Sequence, residues 1–149
     1  MSEADQIENL IFLIIGNPSG DYGKECIRLL QNRMNVKYLG QHDNVSKFYA
    51  ITDVVIRCED YLPLGRTVWE GIFAGSIALV PVNKKDDTSV IQEYIGKYIY
   101  TYEASNVNSC VDTLTNIIKK YPDTVSDSGY PVTNNISTST EQFWKVITA

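Results

Sequence analysis

The chain has 149 residues, 44% of them apolar and 21% charged, the proportions of a soluble globular protein with one real core and too little length for two ordinary domains. Its net charge of −5 argues against broad binding to nucleic acid or to an anionic membrane, each of which needs a basic face. No apolar run approaches the roughly 18 residues of a membrane span, and the acidic start Met1-Ser-Glu-Ala-Asp-Gln-Ile-Glu8 lacks the positive flank of a signal peptide, so a cytoplasmic location is expected. Cys26, Cys58 and Cys110 are odd in number, far apart and without a C-x-x-C pair, which points to a reducing compartment and away from zinc or a disulfide framework.

In chain order, Ile11-Phe-Leu-Ile-Ile15 reads as a strand closed by the turn residues Gly16-Asn-Pro-Ser-Gly20. A helix is expected from about Asp21 to Met34, with Ile27, Leu30 and Met34 on one face, then a strand over residues 36–39 ending at Gly40. Asp43 is placed to N-cap a short helix whose Val45, Phe48 and Tyr49 share a face. The β-branched run Asp53-Val-Val-Ile56 has the character of a strand covered on both faces, and a helix over residues 66–74 follows it, closed by Gly75 as its C′ residue. Ile77-Ala-Leu-Val80 is a further buried strand, followed by the polar loop from Asn83 to Thr88. Val90, Ile91 and Tyr94 suggest a short helix, and residues 98–101 a last strand. Ser105 is expected to cap the clearest helix, where Val107, Cys110, Val111, Leu114, Ile117 and Ile118 form one stripe before Lys119, Lys120 and the stop at Pro122. Strands alternating with helices make the fold class α/β. The organisation expected is a domain over residues 1–121 and a polar tail over 122–149, whose Phe143, Trp144 and Ile147 would dock one short helix.

The segment from Cys58 to Gly75 joins a buried strand to a helix through a Pro/Gly loop and sets Glu70 in the helix's first turns. The unbonded amides at Gly65, Arg66 and Thr67 would face any anion at the strand's carboxyl end. Pro63-Leu-Gly-Arg-Thr-Val-Trp-Glu-Gly-Ile-Phe-Ala-Gly75, followed by Ser76-Ile-Ala-Leu-Val-Pro-Val82, resembles the signature P-F-G-R-T-x-x-E-A-x-A-x-G-x-P-V-V of the donor-binding, carboxyl-terminal half of GT-B glycosyltransferases of the retaining family 4. Ile14-Ile-Gly16, Val36-x-Tyr-Leu-Gly40 and Tyr49-Ala-x-x-Asp-Val-Val55 support it, and the resemblance covers roughly residues 10–121.

That resemblance implies a Rossmann-like parallel sheet with helices on both faces, one half of a GT-B fold, binding a UDP- or GDP-sugar. It implies binding roles for Gly16, Gly40, Gly65, Arg66, Thr67 and Glu70, with Glu70 on the ribose hydroxyls, a task suited to an acceptor-only carboxylate. With a single His and no Cys cluster, metal and nucleophilic-triad chemistries have no support; no separate cofactor is expected, and no catalytic residue is assigned within this chain. An acceptor domain, a partner chain or a homo-oligomer would complete the enzyme, so the chain alone is expected to be inactive.

Three departures from the family pattern stand out. Its first Glu falls on position 62, which is Leu here, and this removes a contact to the transferred sugar. The family's opening strand and helix, with the Arg and Lys that neutralise the leaving diphosphate, have no counterpart, which leaves Arg66 and the helix N-terminus as candidates. The loop after Val82 carries Asn83-Lys-Lys-Asp-Asp-Thr88 where relatives have a Gly pair. These departures keep open a second reading, a degenerate, noncatalytic binding or assembly module.

Ordinary roles stand beside the functional ones: Glu70 as a carboxylate favoured by the helix dipole, Arg66 as a solvated first-turn residue, and Gly16 to Gly20 as turn chemistry. The stretch around Gly23-Lys24 is no Walker A loop, since Pro18 stands at its first Gly and Glu25 at its Ser/Thr. His42 is a lone loop histidine, while Trp69 and Phe73 read as a helix face packed on the sheet.

Overall fold

The computed structural model describes residues 10–59, 64–83, 85 and 96–120, in two compact units, Met1–Val45 and Ser46–Ala149. The first unit is a strand–helix–strand arrangement of β1 (Phe12–Ile15), α1 (Gly20–Leu30) and β2 (Val36–Gly40). β1 and β2 pair in parallel from Phe12 opposite Val36 to Ile15 opposite Gly40, with one irregularity between Ile14 and Ile15. Helix α1 carries Glu25–Arg28 and Asp21–Lys24 pairs on its solvent face, while Cys26 and Ile27 are half-buried.

The helix stops at Leu30, short of the expected Met34. Arg33 N–H bonds to Leu30 O and Val36 N–H to Arg33 O, so tight turns replace the last expected helical turn and deliver the chain to β2. Met34, expected on the apolar face, is 95% exposed. A helical stripe can be extended on paper past the point at which the chain must turn back to pair with β1.

The second unit holds α2 (Ser46–Tyr49), β3 (Val54–Ile56), α3 (Arg66–Phe73), β4 (Ile77–Val82), β5 (Ile99–Glu103) and α4 (Val107–Lys120). Helix α2 begins three residues beyond Asp43, the expected cap. The strands run parallel in the order β3-β4-β5, and β4 is buried from Ile77 to Pro81 as a central strand must be. An α/β architecture of parallel strands alternating with helices is thereby established. The one parallel sheet that the resemblance implies is not seen among the described residues, whose strands form a two-stranded and a three-stranded sheet.

Alternation along the three-stranded sheet places its helices. Val55, Ala78 and Ile99 lie in one row across the register, and Val68 and Ile72 of α3 pack with Ala78, Val80 and Ile99 as the core. The next row, Ile56, Leu79 and Tyr100, points the opposite way. There Lys120 Nζ of α4 meets the Tyr100 hydroxyl at 3.0 Å, so α3 and α4 cover opposite faces. Leu114 and Ile117 are the buried residues of α4.

Local chemistry fixes the ends of these helices. Gly75, at φ +103°, terminates α3: its N–H bonds to Ile72 O while Ser76 N–H reaches back to Gly71 O, the paired bonds of a Schellman motif. The buried Ser76 hydroxyl then donates to Thr52 O at 2.7 Å and ties the start of β4 to the residues before β3.

Helix α4 is capped by Asn106, whose Oδ1 accepts from Ser109 N–H at 3.0 Å, in place of the expected Ser105, which sits at φ +61° in the turn. Val107, expected on the buried stripe, is exposed, because periodicity gives a residue's angle around a helix but not where along it the sheet ends. Trp69 is partly buried against the core as expected, with Phe73 at a ring separation of 6.2 Å.

Residues 1–9, Leu62, the short helix expected around Val90 to Tyr94, and the tail with Phe143, Trp144 and Ile147 lie outside the described residues. Among the described residues no helix is long and apolar enough to cross a membrane.

Candidate functional site

Gly16 and Gly40 come together in the first unit at the carboxyl ends of β1 and β2. Gly16 N–H donates to Gly40 O at 2.8 Å, and the Tyr38 hydroxyl donates to Gly16 O at 3.1 Å. Both glycines have positive φ, +125° and +71°, conformations that a side chain would strain. The Gly16 amide is thus engaged in closing the strand ends.

The second unit holds Gly65, Arg66, Thr67 and Glu70. The first intrahelical bond of α3 runs from Val68 N–H to Gly65 O, so the amides of Gly65, Arg66 and Thr67 precede the helical ladder. Beside them opens a cleft of about 480 Å³ at the carboxyl end of β3, lined by Ile56, Arg57, Cys58, Glu59, Gly65, Thr67 and Val68. Of the expected site residues, Gly65 and Thr67 belong to this lining, while Arg66 and Glu70 do not. Open parallel sheets bind ligands at this rim, where strands end and the next helix begins.

Glu70 lies one turn into α3, exposed, and its Oε2 accepts a hydrogen bond from the Tyr49 hydroxyl of α2 at 3.1 Å. Tyr49's hydroxyl is held above the usual phenol range by burial first, then by the hydrogen bond and charge of Glu70, with Thr67 and Arg66 opposing. Tyr49, Arg66, Thr67 and Glu70 therefore form one polar group on the side of α3 that faces α2.

The most consequential wall residue is Arg57, which did not figure among the expected site residues. Its side chain is only 6% exposed, and its Nε meets Glu59 Oε2 at 3.3 Å. Its backbone is pinned on both sides: Arg57 N–H bonds to Leu79 O at 2.9 Å, and Arg57 O accepts from the buried Tyr102 hydroxyl at 2.8 Å. The available signal was an Arg immediately after the apolar run Val54-Val-Ile56, a charge at a strand's carboxyl end where a core strand has no packing use for it.

Cys58 and Cys110 are free thiols and both are pushed up from the ordinary range. Loss of water around the sulfur is the main cause for each, followed by the Glu59 charge for Cys58 and by Cys58 itself for Cys110. Tyr102 is pushed up to about 12, by burial before the neighbouring Cys58, Cys110 and Glu59. A raised thiol is protonated at neutral pH, the opposite of what an activated cysteine nucleophile requires. Among the described residues no three His, Cys, Asp or Glu side chains gather as metal ligands. The cleft wall holds a buried guanidinium, the N-terminus of α3 and the exposed Glu59 carboxylate.

Compared with known protein families and with curated proteins, the chain matches none.

Proposed function

We propose that this chain is the nucleotide-sugar-binding half of a retaining glycosyltransferase of the GT-B family 4 type. In this reading the chain is a Rossmann-like donor domain located in the cytoplasm. The ligand is a UDP- or GDP-sugar, and an acceptor domain, a partner chain or a second copy supplies the other wall of the active site. One observation carries the proposal: the cleft at the end of β3 is lined by Gly65 and Thr67 of the signature and by the cationic Arg57. A leaving diphosphate develops charge in the transition state, and preorganised cations and backbone amides are what stabilises it. The amides of residues 65–67 meet the phosphates, while Glu70 turns from Tyr49 toward the ribose hydroxyls.

Glu70 is not among the residues lining the cleft and is bonded to Tyr49, which favours the second reading, a noncatalytic module of the same fold. Calorimetric titration with UDP and GDP separates the two. Glu70→Ala is expected to weaken nucleotide binding by about 1–3 kcal/mol, the range for hydrogen bonds to a charged acceptor. Leu62→Ala is expected to leave affinity for the free nucleotide nearly unchanged. Equal losses in the two variants, or no loss in Glu70→Ala beside a binding wild type, would overturn the ribose assignment. A wild type that binds neither nucleotide at millimolar concentration makes the noncatalytic reading the better one.

A further inference from the structure

We infer that Tyr49 sets how strongly the site reads a ribose: its hydroxyl is the resting partner of the Glu70 carboxylate, and a ligand's vicinal hydroxyls take its place. The inference rests on the proposed reading of Glu70 as the ribose carboxylate and adds to it the residue that competes for that carboxylate.

The two partners differ in how firmly they are held. Tyr49 is half-buried at the end of α2, where its backbone O accepts from Thr52 N–H at 3.1 Å. Thr52 O in turn accepts from the buried Ser76 hydroxyl at 2.7 Å, so the turn that carries Tyr49 into β3 is tied to the start of β4. Glu70 is exposed, and its backbone O accepts from Ala74 N–H at 3.0 Å within α3, so its side chain alone is left to change direction. The bond between them joins Tyr49 to Oε2 at 3.1 Å, longer than the about 2.5–2.7 Å of a strong hydroxyl–carboxylate bond. Burial and the Glu70 charge keep the phenol protonated at neutral pH against the opposing Thr67 and Arg66, so Tyr49 acts there as a donor.

Exchange follows from counting donors. A carboxylate has acceptors only; one phenol brings it one donor, whereas the 2′- and 3′-hydroxyls of a ribose bring two on adjacent carbons. Two such bonds engage both carboxylate oxygens, including the one that Tyr49 holds. Glu70 must also leave the side of α3 that faces α2 to meet a ligand in a cleft whose lining it does not join. A ligand without those hydroxyls offers Glu70 no donor and leaves the Tyr49 bond in place. Tyr49 thereby weakens the binding of a ribose and leaves a hydroxyl-free analogue unaffected, acting through Glu70 without touching the ligand.

The test is calorimetric titration of UDP, GDP and their 2′,3′-dideoxy analogues into the full-length wild type, Tyr49→Phe, Glu70→Ala and the double variant, with circular dichroism to establish folding. Tyr49→Phe keeps the ring and removes only the hydroxyl. It should bind the ribonucleotide about two- to fivefold more tightly than wild type, the factor for a hydrogen bond of ordinary rather than charge-assisted strength, and the dideoxy analogue with unchanged affinity. In the Glu70→Ala background Tyr49→Phe should change neither affinity, a coupling that a change in packing alone does not produce. In the wild type, the NMR signal of the hydroxyl-bearing ring carbon of Tyr49 should shift on adding the ribonucleotide and stay in place with the dideoxy analogue, which decides the matter should Tyr49→Phe fail to fold. Unchanged or weaker ribonucleotide binding by Tyr49→Phe, equal tightening for both kinds of ligand, an effect that persists without Glu70, or a ring signal that ignores the ribonucleotide overturns the inference. If Glu70→Ala weakens ribonucleotide binding while Tyr49→Phe does not tighten it, the role of Tyr49 falls and the ribose assignment stands. A wild type that binds neither nucleotide, or one that loses nothing in Glu70→Ala, overturns both.

Discussion

Gly71 offers the sharpest test of how α3 is seated, because a single methyl group there brings two opposed effects into one measurement. The residue is buried in the middle of α3, where Ala is favoured over Gly by about 1 kcal/mol in a helix interior. A Cβ built on Gly71, however, would overlap Val55 Cγ2 and lie 3.2 Å from Val55 Cβ, tighter than ordinary van der Waals contact. Val55 is itself buried on β3, in the row that faces α3, so it has little room to give. Overpacking of this kind costs about 1–3 kcal/mol. With about 2 kcal/mol as the central value, Gly71→Ala should be net destabilising by about 1 kcal/mol, a fall of about 2–4 °C in melting temperature for a chain of this size. In a Val55→Ala background the obstructing methyl groups are gone, and Gly71→Ala should then stabilise by up to about 1 kcal/mol. Urea or thermal unfolding of the four proteins of this cycle measures the reversal. If Gly71→Ala stabilises the wild type, or is equally harmful in both backgrounds, the close approach of α3 to β3 is refuted.

Asn106→Ala should cost about 1 kcal/mol by removing the N-cap of α4, whereas Ser105→Ala should cost far less; denaturant unfolding compares them. Tyr102→Phe deletes the bond to Arg57 O and should cost about 1 kcal/mol in the same assay. The hydroxyl also gives a pH signature. Its folded value, about 12, lies above the ordinary 10, so its stabilisation is complete below pH 10 and is lost as pH rises from about 10 through 12. Spectrophotometric titration of the phenolates should show a late phase that loses one tyrosine in Tyr102→Phe; an unchanged late phase would refute the assignment.

Much of the architecture was legible in the chain because hydrophobic patterning is local. Five apolar runs read as strands are strands in the structure, with ends moved by one or two residues, and β4 was recognisable as buried from an unbroken Ile77-Ala-Leu-Val80. Gly75 declared the end of α3 because only a residue tolerant of positive φ closes that motif. The same local chemistry marked Gly65 and Thr67 as residues at a helix N-terminus, and both line the cleft.

The rest depended on neighbours distant in sequence. Where α1 stops is set by the return to β1, which no stripe of apolar residues records. The division of the described strands between two sheets follows from pairing, and each strand alone carries the same alternating signal whichever partner it meets. Arg57 directly follows the apolar run of β3 in sequence; its burial comes from Leu79 and Tyr102 holding its backbone and from the packing around its side chain. Glu70 stands where the resemblance implies a ribose-binding carboxylate, while its hydrogen bond goes to Tyr49, a partner 21 residues away that α2 brings alongside. Sequence determined which residues form strands, helix ends and a polar rim, since those depend on short-range sterics and periodicity. Tertiary structure decided which charge is buried and what it faces, since desolvation belongs to an environment assembled from separate segments.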